Sequence, residues 1–154
     1  MTRTLTLTDT IWRTLRLAGT RALPRETGGL LLGYYTEIGP HVTEAHVVPD
    51  PRATRIRYRR DAVTAARILG ASIRADDSGA LGYIGEWHSH PLPLGPSTTD
   101  VHASGRLALA GGHDVALLVL ALGTRGWNGH ALNADPTGNI ETLKFSVEGT
   151  GNDG

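Results

Sequence analysis

Two histidines one residue apart, His88 and His90, are followed ten residues later by Asp100. On an extended strand, alternate side chains point to the same face, so the two imidazoles share one side. Together they can bind a single divalent ion, and a carboxylate oxygen is a common third donor for zinc. Pro91 closes the strand, and the stretch to Pro96 holds three prolines and a glycine, which makes it a loop. Asp100 then falls in the first turn of a helix that begins at Ser97, positioned to fold back over the end of its own strand. Three protein ligands leave a fourth tetrahedral position open, the pattern of a catalytic rather than a structural site. Ser97 and Asp100 also fit a capping box, S-x-x-[DE], and a helix N-terminus presents donors to an anion.

The neighbouring residues divide by strand parity. Glu86 shares the histidine face, as an acceptor for an imidazole N–H or as a carboxylate on the rim. Trp87 and Ser89 face the other way, and Trp87 reads as core. His41, His46, His102, His113 and His130 lack ligand spacing with a carboxylate and read as structural or exposed. Glu26 follows Pro24-Arg25 and, on its own, reads as a solvated loop carboxylate.

These residues need a scaffold, and hydrophobic periodicity supplies one. A short edge strand is predicted over Thr2–Thr8. A helix follows with Ile11, Leu15, Ala18 and Ala22 on one face, capped by Thr8 or Asp9 and ended by Pro24. Strands at Gly28–Tyr35 and Val42–Val48 form a hairpin through Gly39-Pro40. A helix over Asp61–Ala75 leads to the strand Ala80–His90. The helix from Ser97 stops at Gly111-Gly112. Three strands complete a meander: Asp114–Leu122, Trp127–Asn133 and Ile140–Val147. The order is β-α-β-β-α-β-α-β-β-β. The fold class is α+β, a mixed curved sheet flanked by helices in a sandwich. One domain is expected over 1–154, with a Gly-rich tail frayed over 149–154.

Composition excludes several classes. With no cysteine, thiolate metal sites, disulfide frameworks and cysteine-protease chemistry are all removed, so a metal must be held by His, Asp or Glu. Lys+Arg and Asp+Glu both number 15, so the balance offers no global attraction to nucleic acid or an anionic membrane. Met1 to Leu17 has no continuous apolar core and no run is long enough for a membrane span, so neither a signal peptide nor a membrane protein is expected, and the cytoplasm is the default. Within this neutral chain Arg52, Arg55, Arg57, Arg59, Arg60, Arg67 and Arg74 form a basic cluster. The plain expectation is a solvated face paired to Asp61, Asp76 or Asp77. A nucleic-acid patch is disfavoured because Tyr58 is the only aromatic among them. A docking face for an acidic partner, or for an extended substrate tail, is the remaining reading.

The set His88-x-His90-Pro91 with Ser97-x-x-Asp100 resembles the JAMM motif of the JAB/MPN metalloproteases, in its prokaryotic stand-alone form. Glu26 in Glu26-Thr27-Gly28-Gly29-Leu30-Leu31-Leu32-Gly33 is similar to the glutamate that this family carries upstream, before a Gly-rich apolar strand. The resemblance spans about Thr4 to Val147. The loop between Pro91 and Ser97 is one residue shorter than in typical eukaryotic members. The resemblance implies an MPN or cytidine-deaminase-like sandwich. It implies one Zn²⁺ held by His88, His90 and Asp100, with Glu26 passing a proton from the attacking water to the leaving amine. Ser97 would help polarise the carbonyl, and Ser89 would sit near the metal shell. The implied activity is peptide or isopeptide hydrolysis after the C-terminal tail of a ubiquitin-like protein, either free as a precursor or in a conjugate. Activating and conjugating enzymes of the same operon would be partners. A non-catalytic MPN-like scaffold and a small-peptide metallohydrolase on the same fold are the alternatives.

Overall fold

A computed structural model describes residues 2–149; the tail expected over 149–154 lies, but for Gly149, outside them. The elements run β1 (Thr4–Thr8), α1 (Asp9–Ala22), β2 (Gly28–Thr36), β3 (Gly39–Val47), α2 (Ala62–Ala75), β4 (Gly82–His90), α3 (Thr98–Gly111), β5 (Val115–Gly123), β6 (Gly126–Ala134) and β7 (Ile140–Glu148). The helix starts are set by side-chain caps. Thr8 accepts from the Ile11 N–H, Asp61 from Thr64 and Ser97 from Asp100, each satisfying an otherwise orphaned donor.

The protein is α+β; the described residues form three helices and a mixed sheet of seven strands that closes on itself in the order β1-β3-β2-β4-β5-β6-β7. The residue pattern predicts a curved sheet in a sandwich with β1 at its edge, and closure departs from that edge position. Its agent is β1, which is no edge strand: it pairs parallel with β3 on one side and parallel with β7 on the other. Leu5, Thr6 and Leu7 are therefore all buried, so the alternation of Thr and Leu does not mark a solvated face. The β2–β3 turn also differs from expectation. It is made by Glu37 and Ile38, while Gly39 and Pro40 already belong to β3, paired to Thr36 and Tyr35.

Each face of the sheet has its own apolar cover. Leu5, Leu7, Leu31, Trp87, Leu118 and Leu120 pack with Leu15 of α1. On the opposite face, Leu30, Leu32 and Val48 take Ala65 of α2, and Leu117, Val119 and Leu132 take Val101 of α3. A fully buried Leu contributes roughly 1.5–3 kcal/mol, so these clusters dominate the stability of the sheet. Strand parity puts Glu86, His88 and His90 on the face that α2 and α3 cover. Among the described residues no helix is long and apolar enough to cross a membrane.

Candidate metal centre

Strand β4 lies between β2 and β5, with Gly28 opposite His88 on one side and Val119 and Ala121 opposite His88 and His90 on the other. Strand pairing on both flanks fixes the backbone beneath both imidazoles. Gly28 is required for this approach. A Cβ there would collide with the Trp87 carbonyl and lie 2.8 Å from the His88 Cβ.

The proline-rich loop returns the chain so that α3 begins over the end of β4. Asp100 stands at the third helical position, and both halves of the capping box form. Asp100 N–H donates to Ser97 Oγ at 3.1 Å, and Ser97 N–H donates to Asp100 Oδ2 at 2.7 Å. The box that reads as a helix start thus also aims the carboxylate. Asp100 Oδ1 lies 3.2 Å from His88 Nε2, and Oδ2 lies 3.4 Å from His90 Nε2. Donor atoms of His88, His90 and Asp100 all fall within 4.8 Å of one another.

Two observations show that this set fits a metal ion. His90 Nδ1 is 2.8 Å from the Leu94 carbonyl, to which it donates, so the Nε2 lone pair is left facing Asp100 and His88. His88 Nε2 is buried and has no hydrogen-bond partner, despite its closeness to Asp100. A buried nitrogen without a partner is costly unless something coordinates it. His88, His90 and Asp100 therefore form a group able to hold a metal ion.

Glu26 reaches the same place from the segment just before β2. Its Oε1 lies 3.7 Å from His90 Nε2, and its side chain is only 10% exposed, so it is no solvated loop carboxylate. Backbone bonds on both sides hold it there. Glu26 N–H donates to the Thr54 carbonyl at 2.8 Å, and the next residue, Thr27, is clamped to Ser89. Ser89 N–H donates to the Thr27 carbonyl at 2.8 Å, and Thr27 N–H donates to Ser89 Oγ at 3.0 Å. Ser89 points away from the imidazoles, so it stands outside the metal shell where the resemblance would put it, and it acts on the Glu26 segment instead.

Electrostatics follow from this packing. Burial pushes the Glu26 carboxyl up to about 7, His90 opposes the rise and the Asp100 charge adds to it. Burial also acts to raise Asp100, but the closeness of His88 and His90 and the Ser97 N–H outweigh it and hold this carboxyl far below its ordinary value. For His90, burial pulls downward, and the Asp100 and Leu94 contacts with the nearby carboxylates more than compensate, so its pKa is raised.

Glu86 is neither a rim carboxylate nor an imidazole acceptor. It is 9% exposed, and Arg60 Nε donates to its Oε1. Burial pushes it up to about 7 while Arg60 pulls the other way. Arg60 thus crosses to β4 rather than pairing with Asp61, Asp76 or Asp77, and none of the other six arginines of the basic cluster forms an ion pair with those aspartates among the described residues. Long-range contacts satisfy Arg60 because α2 lies on the face of the sheet that carries Glu86.

A cleft of about 350 Å³ opens over the centre, with Glu26, His90, Ser97 and Asp100 in its lining. Arg55, Arg57, Tyr58, Leu92 and Leu94 also line it. Leu92 and Leu94, with the Leu94 and Thr54 carbonyls, were not anticipated, whereas Arg55, Arg57 and Tyr58 belong to the basic cluster for which a docking face for a substrate tail was one reading. The density of arginine over 52–60 was the one visible signal. The sequence model for prokaryotic homologs of the JAB domain matches residues 8–130, which includes every residue of the centre. No curated protein matches the chain in sequence. The solution structure of a protein from Desulfitobacterium hafniense is similar, with a TM-score of 0.68 at 18% identity, covering 94% of this chain and 93% of that one. That likeness is one of fold, and the family match spans most of the chain, so this protein belongs to the prokaryotic homologues of the JAB domain.

Proposed function

We propose that the protein is a zinc-dependent hydrolase of peptide or isopeptide bonds, acting after the C-terminal tail of a ubiquitin-like protein. The observation that carries this reading is the pairing of a three-donor group with a separate buried carboxylate, Glu26, 3.7 Å from one of the donors. His88, His90 and Asp100 would hold the ion, which supplies Lewis-acid activation of water and of the scissile carbonyl.

The remaining chemistry belongs to the chain. Glu26 accepts a proton from the attacking water as its oxygen bonds to the carbonyl carbon. The carbon–nitrogen bond then breaks, and Glu26 returns the proton to the departing amine. A carboxyl that burial holds near 7 is matched to both halves of this exchange at neutral pH. Ser97 accepts the Asp100 N–H through its oxygen, which leaves its own O–H free to donate to the carbonyl oxygen as that turns anionic. Asp100 is charged throughout, held by its histidine and Ser97 contacts.

A non-catalytic scaffold of the same fold has no need for Glu26 to be buried beside the donors. The test is metal analysis combined with turnover. Purified protein should carry about one zinc per chain and cleave ubiquitin-like fusions in preference to short unrelated peptides. Glu26→Ala should keep its zinc and its fold while kcat falls by about 10²–10⁴-fold, the usual contribution of a general base. Full activity in Glu26→Ala refutes the base, and a chain with no affinity for zinc supports the scaffold. Cleavage of short peptides alone would instead indicate a small-peptide hydrolase.

A further inference from the structure

The connection between β3 and α2, residues 48–61, has no helix or strand, and connections longer than about 12 residues without such structure are usually functional or disordered. This one is firmly built. Asp50 accepts the backbone N–H groups of Arg52 and Arg59 through its two oxygens, both at 2.9 Å. Tyr58 donates its hydroxyl to the Val48 carbonyl at 2.6 Å, and Arg60 is tied to Glu86. Thr54 N–H donates to the Arg57 carbonyl at 2.9 Å, which closes a tight turn with Arg55 and Ile56 at its tip. The Thr54 carbonyl in turn holds Glu26. The turn that carries Arg55 and Arg57 is therefore bonded directly to the backbone of the proposed base.

Both arginines are exposed, line the same cleft as Glu26, His90 and Asp100, and have no ion-pair partner among the described residues. The chain is neutral overall, so this local charge is a property of the cleft and not of composition. Two unpaired arginines on a pinned turn present a fork suited to a carboxylate. A nucleic acid is the poorer fit. Tyr58 is the one aromatic of the turn, and it is half-buried with its hydroxyl committed, which leaves no stacking platform. We propose that Arg55 and Arg57 select substrates with a carboxylate-bearing residue within reach of the scissile bond. The proposal rests on the hydrolase reading for its context and adds to it a charge preference for the bound segment. The carboxylate could be an Asp or Glu side chain or the terminus of the substrate chain.

The test uses metal-loaded full-length protein and short internally quenched peptides that differ at one residue beside the cleaved bond, Asp, Asn or Lys, all with amidated ends. A further set carries Asn with a free C-terminal carboxylate. Turnover gives kcat and KM, and fluorescence anisotropy with Glu26→Gln protein gives affinity without turnover. The Asp peptide, the free-carboxylate peptide or both should exceed the Lys peptide by about tenfold in kcat/KM and in affinity at low salt, the scale of a partly exposed charge-assisted hydrogen-bond pair. Which set benefits identifies the source of the carboxylate. The Arg55→Gln/Arg57→Gln protein should lose this preference, with equal affinity for the Asp, Asn and Lys peptides and no dependence of KM on their charge. A matched Arg52→Gln/Arg59→Gln protein, altered in the same loop but outside the cleft lining, should retain it. The proposal is overturned if all peptides bind equally, if the two double variants behave alike, or if a single-stranded oligonucleotide binds more tightly than any peptide. Selective binding of the acidic peptide without cleavage of any peptide or of a ubiquitin-like fusion would remove the hydrolase reading and leave the assignment of the arginines standing.

Discussion

Replacing Ser89 by Ala separates the two halves of the centre. Ser89 is fully buried, and its hydroxyl accepts the Thr27 N–H at 3.0 Å and lies 3.4 Å from the Thr27 carbonyl, to which it donates. Alanine fills the same site without overpacking, and the backbone bond from Ser89 N–H to the Thr27 carbonyl at 2.8 Å survives. What is lost is the acceptor of a buried N–H, since Thr27 is itself only 9% exposed. An orphaned buried donor costs about 1–3 kcal/mol. For a domain of this size each kcal/mol lowers Tm by about 2–4 °C, so a fall of several degrees is expected.

The functional effect should be larger than this suggests. Glu26 is the residue before Thr27, and displacing a catalytic group by about 1 Å can cost about 100-fold. The metal donors sit elsewhere, on the opposite face of β4 and on α3, and their bonds to Asp100, Leu94 and Ser97 are untouched. Ser89→Ala should thus lower kcat by about 10–100-fold with KM and zinc affinity unchanged. Turnover of a quenched fusion, zinc titration by competition with a chromophoric chelator, and a thermal melt measure the three quantities. If zinc affinity falls together with kcat, Ser89 supports the ligand strand and the reasoning is wrong. If Tm falls while kcat holds, the Thr54 carbonyl alone positions Glu26.

Two further outcomes follow from the contacts around the centre. Asp100→Ala removes a donor and one half of the capping box, so zinc affinity should fall by at least tenfold and the metal-free protein should lose about 1 kcal/mol, read as a lower Tm with chelator present; unchanged affinity would remove Asp100 from the donor set. Arg60→Met leaves Glu86 buried without its cation, a change that costs about 3–5 kcal/mol when the carboxylate is charged. Because burial raises the Glu86 pKa, the folded state favours the protonated form: stability from that group is present at low pH and is lost as pH rises through about 7. The Tm deficit of Arg60→Met relative to the parent should therefore widen between pH 5 and pH 8, and a deficit independent of pH would show that Glu86 does not titrate in that range.

What could be read from residue order depended on how locally each feature is encoded. His88, His90, Ser97 and Asp100 lie on one strand, one loop and one helix turn, so parity and a capping pattern were enough to bring them together. Helix starts at Thr8, Asp61 and Ser97 were legible for the same reason. Closure of the barrel was not, because β1 pairs with β7 across most of the chain and its Thr and Leu alternation resembles that of an edge strand. The partner of Glu86 was missed because Arg60 reaches it through the packing of α2 and its preceding loop, a contact with no signature in spacing. Ser89 was assigned to the correct face by parity, and only the family likeness drew it toward the metal.

The same division governs how the centre should respond to change. Its donors come from the continuous stretch 88–100, whereas the carboxylate opposite them arrives from residue 26 through the β2–β4 pairing and the Ser89 and Thr54 bonds. The ligand set depends on one strand, one loop and one cap, and the base depends on long-range register. Perturbations of β2, of the Thr54 bond to Glu26 or of Ser89 should consequently lower turnover in protein that still binds its ion. On the hydrolase reading turnover without the ion is not expected, because the Ser97 hydroxyl alone would be left to polarise the carbonyl and the water would lose its Lewis-acid activation. On that reading metal occupancy is a necessary sign of activity and not a sufficient one, and the two must be measured on the same sample.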